Sequence, residues 1–333
     1  MDPILKKQIE LTQISSDSYE ISWHSDWTLG PTLHGGSIAA AIHHAAATYL
    51  NTNPTLAARK QPDLLSLHLQ FLRPCEHSKS TITITILKAG AVASTLQLQL
   101  TQERKLKVLA LATSTNFENV VGPTATSAWS LQPAPPPIPD FDRVLAHQPE
   151  ENWIPGLVKG ELLPFTRRKL GLLPRGGLPV DGVCDLWHSF LAPERMDAIY
   201  VTLFADCGPS MSDTLMRNDG PYDAHIFQRQ MEEWAVKNPG ATCMMSNSIA
   251  DALRSTHFDT SLTMDIQYKR RLPREGLRFM FARYATKMLQ DGRMDLDVTI
   301  CNENMELLAS AQQTILVLDV QKKFRSGDEK SSL

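Results

Sequence analysis

The segment 33–37 reads Leu-His-Gly-Gly-Ser and leads into an alanine-rich stretch, 38–50, in which apolar residues recur at helical spacing. This pattern predicts a helix with one apolar side. The two glycines, Gly35 and Gly36, let the backbone of a ligand or partner approach closely. Because the first turn of a helix has free N–H groups and a partial positive charge, this loop can polarise a carbonyl group or hold an anion. The alternative is a helix cap with no further role.

A carboxylate in an unusual place is the second feature that could do chemistry. Asp206 falls on the same side of a predicted helix as Ile199 and Leu203. This side looks buried, and a carboxylate there is costly unless it is paired or hydrogen-bonded. The alternative is an exposed residue at a frayed helix end, where the helix dipole disfavours an aspartate. The sequence therefore leaves Asp206 as either a functional group or a surface residue.

The composition indicates a globular chain with room for two domains. The chain has 333 residues, and its 42% hydrophobic and 21% charged content is typical of soluble globular proteins. A net charge of -3 argues against a general nucleic-acid binder. No apolar run approaches the roughly 20 residues that a membrane-spanning helix needs. We therefore expect neither a nucleic-acid partner nor a membrane span.

Cysteine spacing and the chain ends bear on the compartment. The five cysteines are widely spaced and lack a C-x-x-C pair, which predicts free, buried thiols in a reducing compartment. Residues 1–10 lack the apolar core of a signal peptide, so we expect a cytoplasmic protein. The ending Ser331-Ser332-Leu333 resembles a degenerate peroxisomal signal of the S-K-L type, although its middle residue is not basic. A peroxisomal location therefore stays open.

Alternating apolar and polar side chains predict the strands that position the Gly-Gly loop and Asp206. A strand over 19–24 precedes the first helix, and the alternation predicts four more strands after it. These strands are 65–71, 81–87, 94–101 and 105–117. In such a unit an antiparallel sheet curls around the single helix and buries it. We assign residues 1–120 to this N-terminal unit, and the Pro- and Gly-rich residues 121–183 to a connector that is partly ordered by packing on both neighbours.

The pattern of the first unit returns in the second half of the chain. Leu-Trp-His-Ser at 186–189 echoes Ser-Trp-His-Ser at 22–25. Asp-Ile-Gln-Tyr-Lys-Arg at 265–270 echoes His-Leu-Gln-Phe-Leu-Arg at 68–73. The repeat predicts two helix-in-sheet halves of one fold, with their strands in one continuous sheet.

The second unit is assigned to residues 184–320. A helix is predicted over 193–207, because a proline at position 193 suits the first turn. An insertion near 218–241 carries apolar residues at helical spacing between two Gly-Pro or Pro-Gly pairs, which predicts a further short helix. Residues 321–333 are assigned to a polar tail.

These features together resemble the double hotdog proteins, specifically acyl-CoA thioesterases of the thioesterase II type. The likeness covers roughly 19–117 and 184–319, and it includes the Gly-Gly pair and the strand end Phe-Leu-Arg-Pro at 71–74. The resemblance implies an α+β fold in which a long helix lies in a curled antiparallel sheet, twice per chain. It also implies hydrolysis of an acyl-CoA or a carrier-bound acyl thioester, in fatty-acyl or polyketide metabolism. The insertion helix is then expected to cover the acyl site.

The family works with an Asp at the end of the second helix, a Ser or Thr on the following strand, and a Gln on the last strand. The resemblance puts Asp206, Ser261 and Gln313 at these positions, with Thr260 and Thr263 close to Ser261. The carboxylate can take a proton from water as a general base. The hydroxyl and the amide can hold that water or orient the carboxylate. No covalent nucleophile is then required.

Further residues are expected to bind the substrate. The N–H of Gly36 is the natural donor to the thioester oxygen, although either half's helix start can supply it. Arg73 and Arg270 follow equivalent strand ends and are expected to contact phosphates of coenzyme A or of a carrier arm. The alternative for both arginines is a solvated surface charge. His34 is a third candidate for substrate binding, with a capping or packing role as the simpler interpretation.

Two other function classes stay open. One is a hotdog dehydratase, isomerase or acyltransferase, in which His34 and Asp26 would supply acid–base chemistry on a thioester-bound chain. The other is a non-catalytic protein that binds acyl thioesters. The sequence has no H-E-x-x-H, G-x-S-x-G, G-x-G-x-x-G or phosphate-binding P-loop motif, and the adjacent His43 and His44 face different directions on a helix. We therefore expect no metal and no cofactor, and a homo-oligomer through sheet edges is an open expectation.

Overall fold

The structure is a computed structural model that describes residues 8–217, 220 and 222–319. The polar tail 321–333 with its Ser-Ser-Leu ending, and residues 218, 219 and 221 of the insertion, lie outside this part. The strands are β1 (Leu11–Ser15), β2 (Ser18–Ile21), β3 (Thr28–Leu29), β4 (Thr32–Leu33), β5 (Asp63–Phe71), β6 (Ser80–Ala89), β7 (Ser94–Gln102), β8 (Lys105–Thr115), β9 (Trp153–Gly160), β10 (Lys169–Pro174), β11 (Val183–Phe190), β12 (Cys243–Asn247), β13 (His257–Tyr268), β14 (Met280–Ala285), β15 (Leu289–Gln290), β16 (Arg293–Cys301) and β17 (Leu307–Asp319). The α-helices are α1 (Gly35–Thr52), α2 (Pro54–Ala57), α3 (Phe141–Leu145), α4 (Ala198–Phe204), α5 (Met211–Met216), α6 (Ala224–Lys237) and α7 (Ile249–Leu253), and two short 3-10 helices span Ser25–Trp27 and Pro164–Arg168.

One 15-stranded sheet contains all the strands named above except β3 and β4. Its order is β1-β2-β6-β7-β8-β5-β13-β17-β16-β14-β11-β10-β9-β12, with β15 pairing beside β16. The pairs are antiparallel except for β9 with β12, which run parallel. The strands β3 and β4 form a separate two-stranded ribbon. The architecture is therefore α+β, as the sequence predicts.

The two halves of the sheet join at β5 and β13. His68 lies directly opposite Asp265 in the register of these strands, and its Nδ1 is 2.5 Å from Asp265 Oδ1. These two residues also occupy equivalent positions in the sequence repeat, so a pseudo-twofold axis passes between them. On either side of this axis β8 corresponds to β17, β7 to β16, β6 to β14 and β2 to β11. The prediction of one continuous sheet across two helix-in-sheet halves is confirmed.

The long helix α1 is the buried axis of the N-terminal half. Twelve of its 18 residues are buried, among them the run from Ile38 to His43. Small alanine side chains let both the sheet and α4 approach closely, because a close-packed core leaves no room for larger groups. His43 Nδ1 lies 2.6 Å from Thr202 Oγ1 on α4, and both atoms are within hydrogen-bonding distance of Tyr268 OH. Burial lowers the pKa of His43 to about 4, so this contact joins the two helices through a neutral imidazole.

The second helix is shorter than predicted. It begins at Ala198 and ends at Phe204, so the expected helix over 193–207 was too long at both ends. The main chain of Met196 exchanges two hydrogen bonds with Leu277, at 2.8 and 2.9 Å, and this extended bridge is incompatible with a helix. The Asp197 carboxylate then caps the seven-residue helix. Asp206 consequently lies in the turn that follows α4.

The connector adds strands to the sheet of the second half, and the insertion adds a helix beside it. The segment 121–183 supplies β9 and β10, which extend the sheet beyond β11. The insertion supplies α6, which lies beside β9. The next strand, β12, pairs with β9.

All five cysteines are buried free thiols, in agreement with the sequence analysis. None of the helices in the described ranges combines the length and hydropathy that a membrane crossing requires.

Candidate functional site

A cavity of about 550 Å³ lies where the two halves, the connector and the insertion meet. Its volume falls within the roughly 300–1,000 Å³ that is typical of pockets for drug-sized ligands. Apolar side chains form most of the wall, including Phe71 from the first half, Phe165 from the connector, and Phe227 and Met231 from α6. Asp206 lies on this wall. The cavity therefore places a carboxylate beside a space suited to an apolar group.

The Asp206 carboxylate reaches from the second half of the chain to the first turn of α1. The N–H of Gly36 donates to its Oδ2 at 2.7 Å. The Asp206 side chain is 17% exposed, so contacts with the protein replace most of its contact with water. The free N–H groups and partial positive charge of a helix start stabilise an anion at this position. The anion that the Gly-Gly loop was predicted to hold is thus the protein's own carboxylate.

The close approach of Asp206 explains why two glycines stand at the start of α1. A Cβ atom on Gly35 would lie 2.7 Å from Asp206 Oδ2. A Cβ atom on Gly36 would lie 2.7 Å from the carbonyl oxygen of Leu203 and 2.9 Å from Asp206 Cβ. A side chain at Gly35 would therefore displace the carboxylate, and one at Gly36 would also press on the main chain of Leu203.

The three residues expected from the family motif come together. Ser261 Oγ donates to Gln313 Oε1 at 2.9 Å, and Gln313 Nε2 donates to Asp206 Oδ1 at 3.2 Å. A bulge between Ser261 and Thr263 interrupts the pairing of β13 with β17 and brings Ser261 within reach of Gln313. The hydroxyl in contact with Gln313 is therefore that of Ser261, and the flanking threonines do not take its place.

His34 is held in one tautomer by its surroundings. Its Nδ1 accepts a hydrogen bond from the N–H of Ser37 at 3.3 Å and thereby caps α1. Its Nε2 faces two oxygens of Asp206, the carbonyl at 2.9 Å and Oδ2 at 3.5 Å, so Nε2 must carry the proton. Both ring nitrogens are thus engaged in positioning the main chain.

The acid–base pair of His34 with Asp26 does not form. The Asp26 side chain is fully buried and makes ion pairs with Arg167 at 2.5 Å and Arg168 at 3.0 Å. Proximity in the sequence suggested this pair, but the chain between the two residues forms the β3–β4 ribbon and directs them to different partners. Asp26 anchors the connector, whereas His34 contacts Asp206.

The two arginines expected to bind phosphates lie in different places. Arg73 lies on the cavity wall, where its Nη1 donates to the carbonyl of Leu106 at 2.8 Å. Arg270 pairs with Glu306 at 2.9 Å and borders a separate cavity next to Trp129. The structure therefore brings Arg73 to the cavity and leaves Arg270 outside its lining.

Sequence reasoning missed several residues of the cavity wall that come from the connector and from β13. Lys169 opens β10 on this wall, and its Nζ donates to the carbonyl of Cys207 at 3.1 Å. Asp259 lies two residues before Ser261 on the same strand and accepts a hydrogen bond from Ser212 Oγ at 2.7 Å. A strand period of two through Ser261 could have indicated Asp259, because alternate residues face the same side. The basic run 167–169 was the one feature of the sequence that pointed to Lys169.

Two family models match the chain. The model described as the acyl-CoA thioesterase N-terminal domain matches residues 23–116, and the C-terminal domain model matches residues 135–317. These matches cover more than half of the chain, and the protein belongs to the acyl-CoA thioesterase family. It is accordingly a thioester hydrolase, which confirms the activity that the resemblance implied.

Individual proteins agree with this assignment. The thioesterase-like protein TwmA of Talaromyces wortmannii is 23% identical, over 99% of this chain and 97% of that protein. A solved structure with a hotdog fold from Alicyclobacillus acidocaldarius matches with a TM-score of 0.68 and 14% identity, over 96% of this chain and 99% of that one. An acyl-CoA thioesterase II from Mycobacterium marinum matches with a TM-score of 0.60 and 14% identity, over 95% and 97% of the two chains. The hotdog fold predicted from the sequence is confirmed.

Burial of Asp259 makes the stability of the fold dependent on pH. Removal from water raises the pKa of this carboxyl to about 6, with a further increase from nearby Asp213, against about 3.9 in an unfolded chain. The folded state therefore binds this proton more tightly, and the stability that protonation contributes is lost as pH rises through about 6. We expect Asp259→Asn to melt higher than the parent at pH 7, and the difference to shrink towards pH 4.

Thermal melting of both proteins across this pH range measures the effect. Asp181→Asn is the matched control, because the Asp181 carboxyl is 72% exposed and its partner Arg217 keeps its charge between pH 4 and 7, so this replacement should give no such trend. A melting difference for Asp259→Asn that is constant between pH 4 and 7 would show that Asp259 does not titrate in this range.

Proposed function

We propose that the protein hydrolyses an acyl thioester of coenzyme A or of a pantetheine-bearing carrier protein, with Asp206 as the general base. The observation that carries this proposal is the position of the Asp206 carboxylate, which is held by Gly36 and Gln313 on the wall of an apolar cavity. The acyl chain occupies the cavity of about 550 Å³, which is larger than an acetyl group needs. A substrate with an extended acyl group follows from this size.

In the proposed reaction the carboxylate of Asp206 accepts a proton from a water molecule as that water attacks the thioester carbon. The tetrahedral intermediate then collapses, the carbon–sulfur bond breaks, and the proton passes from Asp206 to the departing thiolate. The products are a free acid and a thiol. Gln313 and Ser261 orient the carboxylate, because Ser261 donates to the Gln313 oxygen and leaves the amide nitrogen to donate to Asp206 Oδ1 and to the carbonyl of Ala205.

The thioester oxygen needs a hydrogen-bond donor as negative charge develops on it. The N–H of Gly36, which was predicted for this role, donates to Asp206 Oδ2 instead. We assign the role to Gly35, which lies on the cavity wall at the first position of α1. Its N–H is among the first-turn groups that have no acceptor within the helix.

The contacts of His34 argue against the dehydratase alternative. A histidine that abstracts a proton from a substrate must present a lone pair on a ring nitrogen. The Nδ1 lone pair of His34 accepts from the Ser37 N–H, and its protonated Nε2 is directed to Asp206. The geometry therefore supports a positioning role for His34 and leaves Asp206 as the base.

Replacement of the base is the main test of this function. Asp206→Asn keeps the size of the side chain and removes the proton acceptor, so we expect kcat on the best substrate to fall by on the order of 10² to 10⁴ with KM little changed. Ser261→Ala and Gln313→Ala should each cost less, and neither should add to the loss in Asp206→Asn. Thiol release from an acyl-CoA panel measures the rates.

Thermal melting controls for the fold of each variant. Asp206→Asn should melt below the parent temperature, because Gly36 and Gln313 donate to the two carboxylate oxygens and the NH2 group of an asparagine cannot accept either hydrogen bond. A folded Asp206→Asn protein that hydrolyses its best thioester near the parent rate would remove this residue from the mechanism. An absence of thiol release from any acyl-CoA by the parent, together with tight binding of the same compounds, would favour the binding-protein alternative.

The inner face of α6 is proposed to set the acyl-chain preference. Phe227 and Met231 line the cavity, and the Met231 side chain lies against Gly156. Shortening the Met231 side chain should lengthen the cavity that holds the acyl chain. A single methylene in an apolar pocket changes the discrimination between two substrates by roughly 10-fold or more. We expect Met231→Ala to raise the kcat/KM ratio of longer to shorter acyl-CoA substrates.

The control for this prediction lies on the same helix. Trp234 is 38% exposed and is not part of the cavity wall, so Trp234→Ala should leave the chain-length ratio unchanged. An equal ratio in Met231→Ala and the parent would show that α6 does not limit the acyl chain. Residues 218–241 are better tested by substitution than by deletion, because α6 buries Ala224, Met231 and Ala235 in the core.

A further inference from the structure

We propose that Lys169 and Tyr284 are positioning residues of the thioesterase, which hold the turn that carries Asp206 through its main-chain carbonyls. This inference rests on the proposed role of Asp206 as the base. Neither residue belongs to the family motif of Asp, Ser or Thr, and Gln. Both act on the peptide groups that flank the carboxylate and not on the carboxylate itself.

Four consecutive carbonyl groups, from the last residue of α4 to Cys207, each accept a hydrogen bond from a different side chain. The carbonyls at a helix end have no intrahelical donors, and they need partners when they are buried. The four contacts are Tyr284 OH to Phe204 O at 2.7 Å, Gln313 Nε2 to Ala205 O at 2.8 Å, His34 Nε2 to Asp206 O at 2.9 Å, and Lys169 Nζ to Cys207 O at 3.1 Å. Every peptide oxygen from 204 to 207 is thereby fixed.

The four donors come from separate parts of the fold. Tyr284 lies on β14 and Gln313 on β17, whereas His34 precedes α1 in the other half and Lys169 opens β10 in the connector. The turn therefore cannot shift in any direction without stretching at least one of these hydrogen bonds. Such a multi-sided restraint is what a base needs, since a displacement of about 1 Å can cost on the order of 10²-fold in rate.

Tyr284 supports the turn in two ways. Its hydroxyl lies between His188 Nε2, at 2.9 Å, and the carbonyl of Phe204, so the hydroxyl proton is directed to the carbonyl. Its ring packs against the chain at Gly208, where a Cβ atom would lie 2.6 Å from the ring. The aromatic ring and the hydroxyl thus fix both ends of the segment 204–208.

The hydrogen bond from Lys169 to the Cys207 carbonyl requires a cationic group to be partly removed from water. Burial lowers the pKa of its ammonium group, because the charged form is removed from water. A neutral donor would satisfy the Cys207 carbonyl without this cost. The lysine also lies on the cavity wall beside Asp206 and Cys207. Lys169 therefore holds the last carbonyl of the turn from the side of the cavity.

The experiment compares variants that remove one donor each. Lys169→Met and Tyr284→Phe keep the shape of the side chain and delete the hydrogen bond to the turn. We expect kcat for acyl-CoA hydrolysis to fall on the order of 10-fold in each, with KM little changed. Lys169→Arg keeps a cationic donor and should recover most of the lost kcat.

Two matched controls remove the same kinds of bond elsewhere. Lys107→Met deletes a buried lysine contact with the carbonyl of Pro74, at 2.9 Å. Tyr268→Phe deletes a buried hydroxyl contact with Thr202, at 2.6 Å. Both controls should lower the melting temperature and leave kcat near the parent value, because neither bond reaches the turn at 204–207.

A folded Lys169→Met protein with the parent kcat would overturn the assignment of Lys169, and the same result in Tyr284→Phe would overturn that of Tyr284. Equal losses of kcat in the two controls would also overturn the proposal, because general loosening of the fold would then explain every loss.

The Asp206→Asn variant distinguishes a failure of this inference from a failure of the proposed function. If Asp206→Asn is inactive while Lys169→Met and Tyr284→Phe are unaffected, only this inference fails, whereas an active Asp206→Asn protein removes the proposed base itself.

Discussion

The hydrogen bond between the Asp206 carboxylate and the Gly36 N–H is the contact on which the rest of the site depends. It joins the end of the second half's helix to the start of the first half's helix at 2.7 Å. Both glycines at the start of α1 are required by this approach, since a side chain at either position would collide with Asp206 or with the main chain of Leu203. The small residues of α1 and the single continuous sheet bring the two helix ends together. The pseudo-twofold fold thus produces one asymmetric site in which each half supplies what the other lacks.

The surroundings of Asp206 explain how a carboxylate persists beside an apolar cavity. A charged group away from water is stable only when hydrogen bonds replace its hydration. Gly36 and Gln313 supply donors to its two oxygens, and the positive end of α1 adds a favourable field. The peptide groups on either side are held by His34, Tyr284 and Lys169. Charge and position are therefore provided by different sets of residues, which is an arrangement suited to general-base chemistry.

Much of this architecture is predictable from local patterns, and the rest depends on contacts that no local pattern shows. Alternation located β5 to β8 within a few residues, and the repeat of 68–73 in 265–270 placed the two central strands opposite each other. The trio Asp206, Ser261 and Gln313 followed from the resemblance of the second half to the family pattern. The start of α4 was missed because Met196 pairs with Leu277, a residue distant in the sequence. Lys169 was missed for the same reason, since its partner carbonyl at Cys207 belongs to another segment.

The most direct test of the central claim follows the oxygen of the attacking water. A single turnover with enzyme in excess, in water enriched in heavy oxygen, distinguishes attack by water from attack by the carboxylate itself. If Asp206 is a general base, mass spectrometry should find the label in the released acid, and the peptide that contains Asp206 should carry neither label nor acyl group. Heavy oxygen in the Asp206 carboxyl, or an acyl group trapped on it, would show a covalent anhydride route and contradict the account.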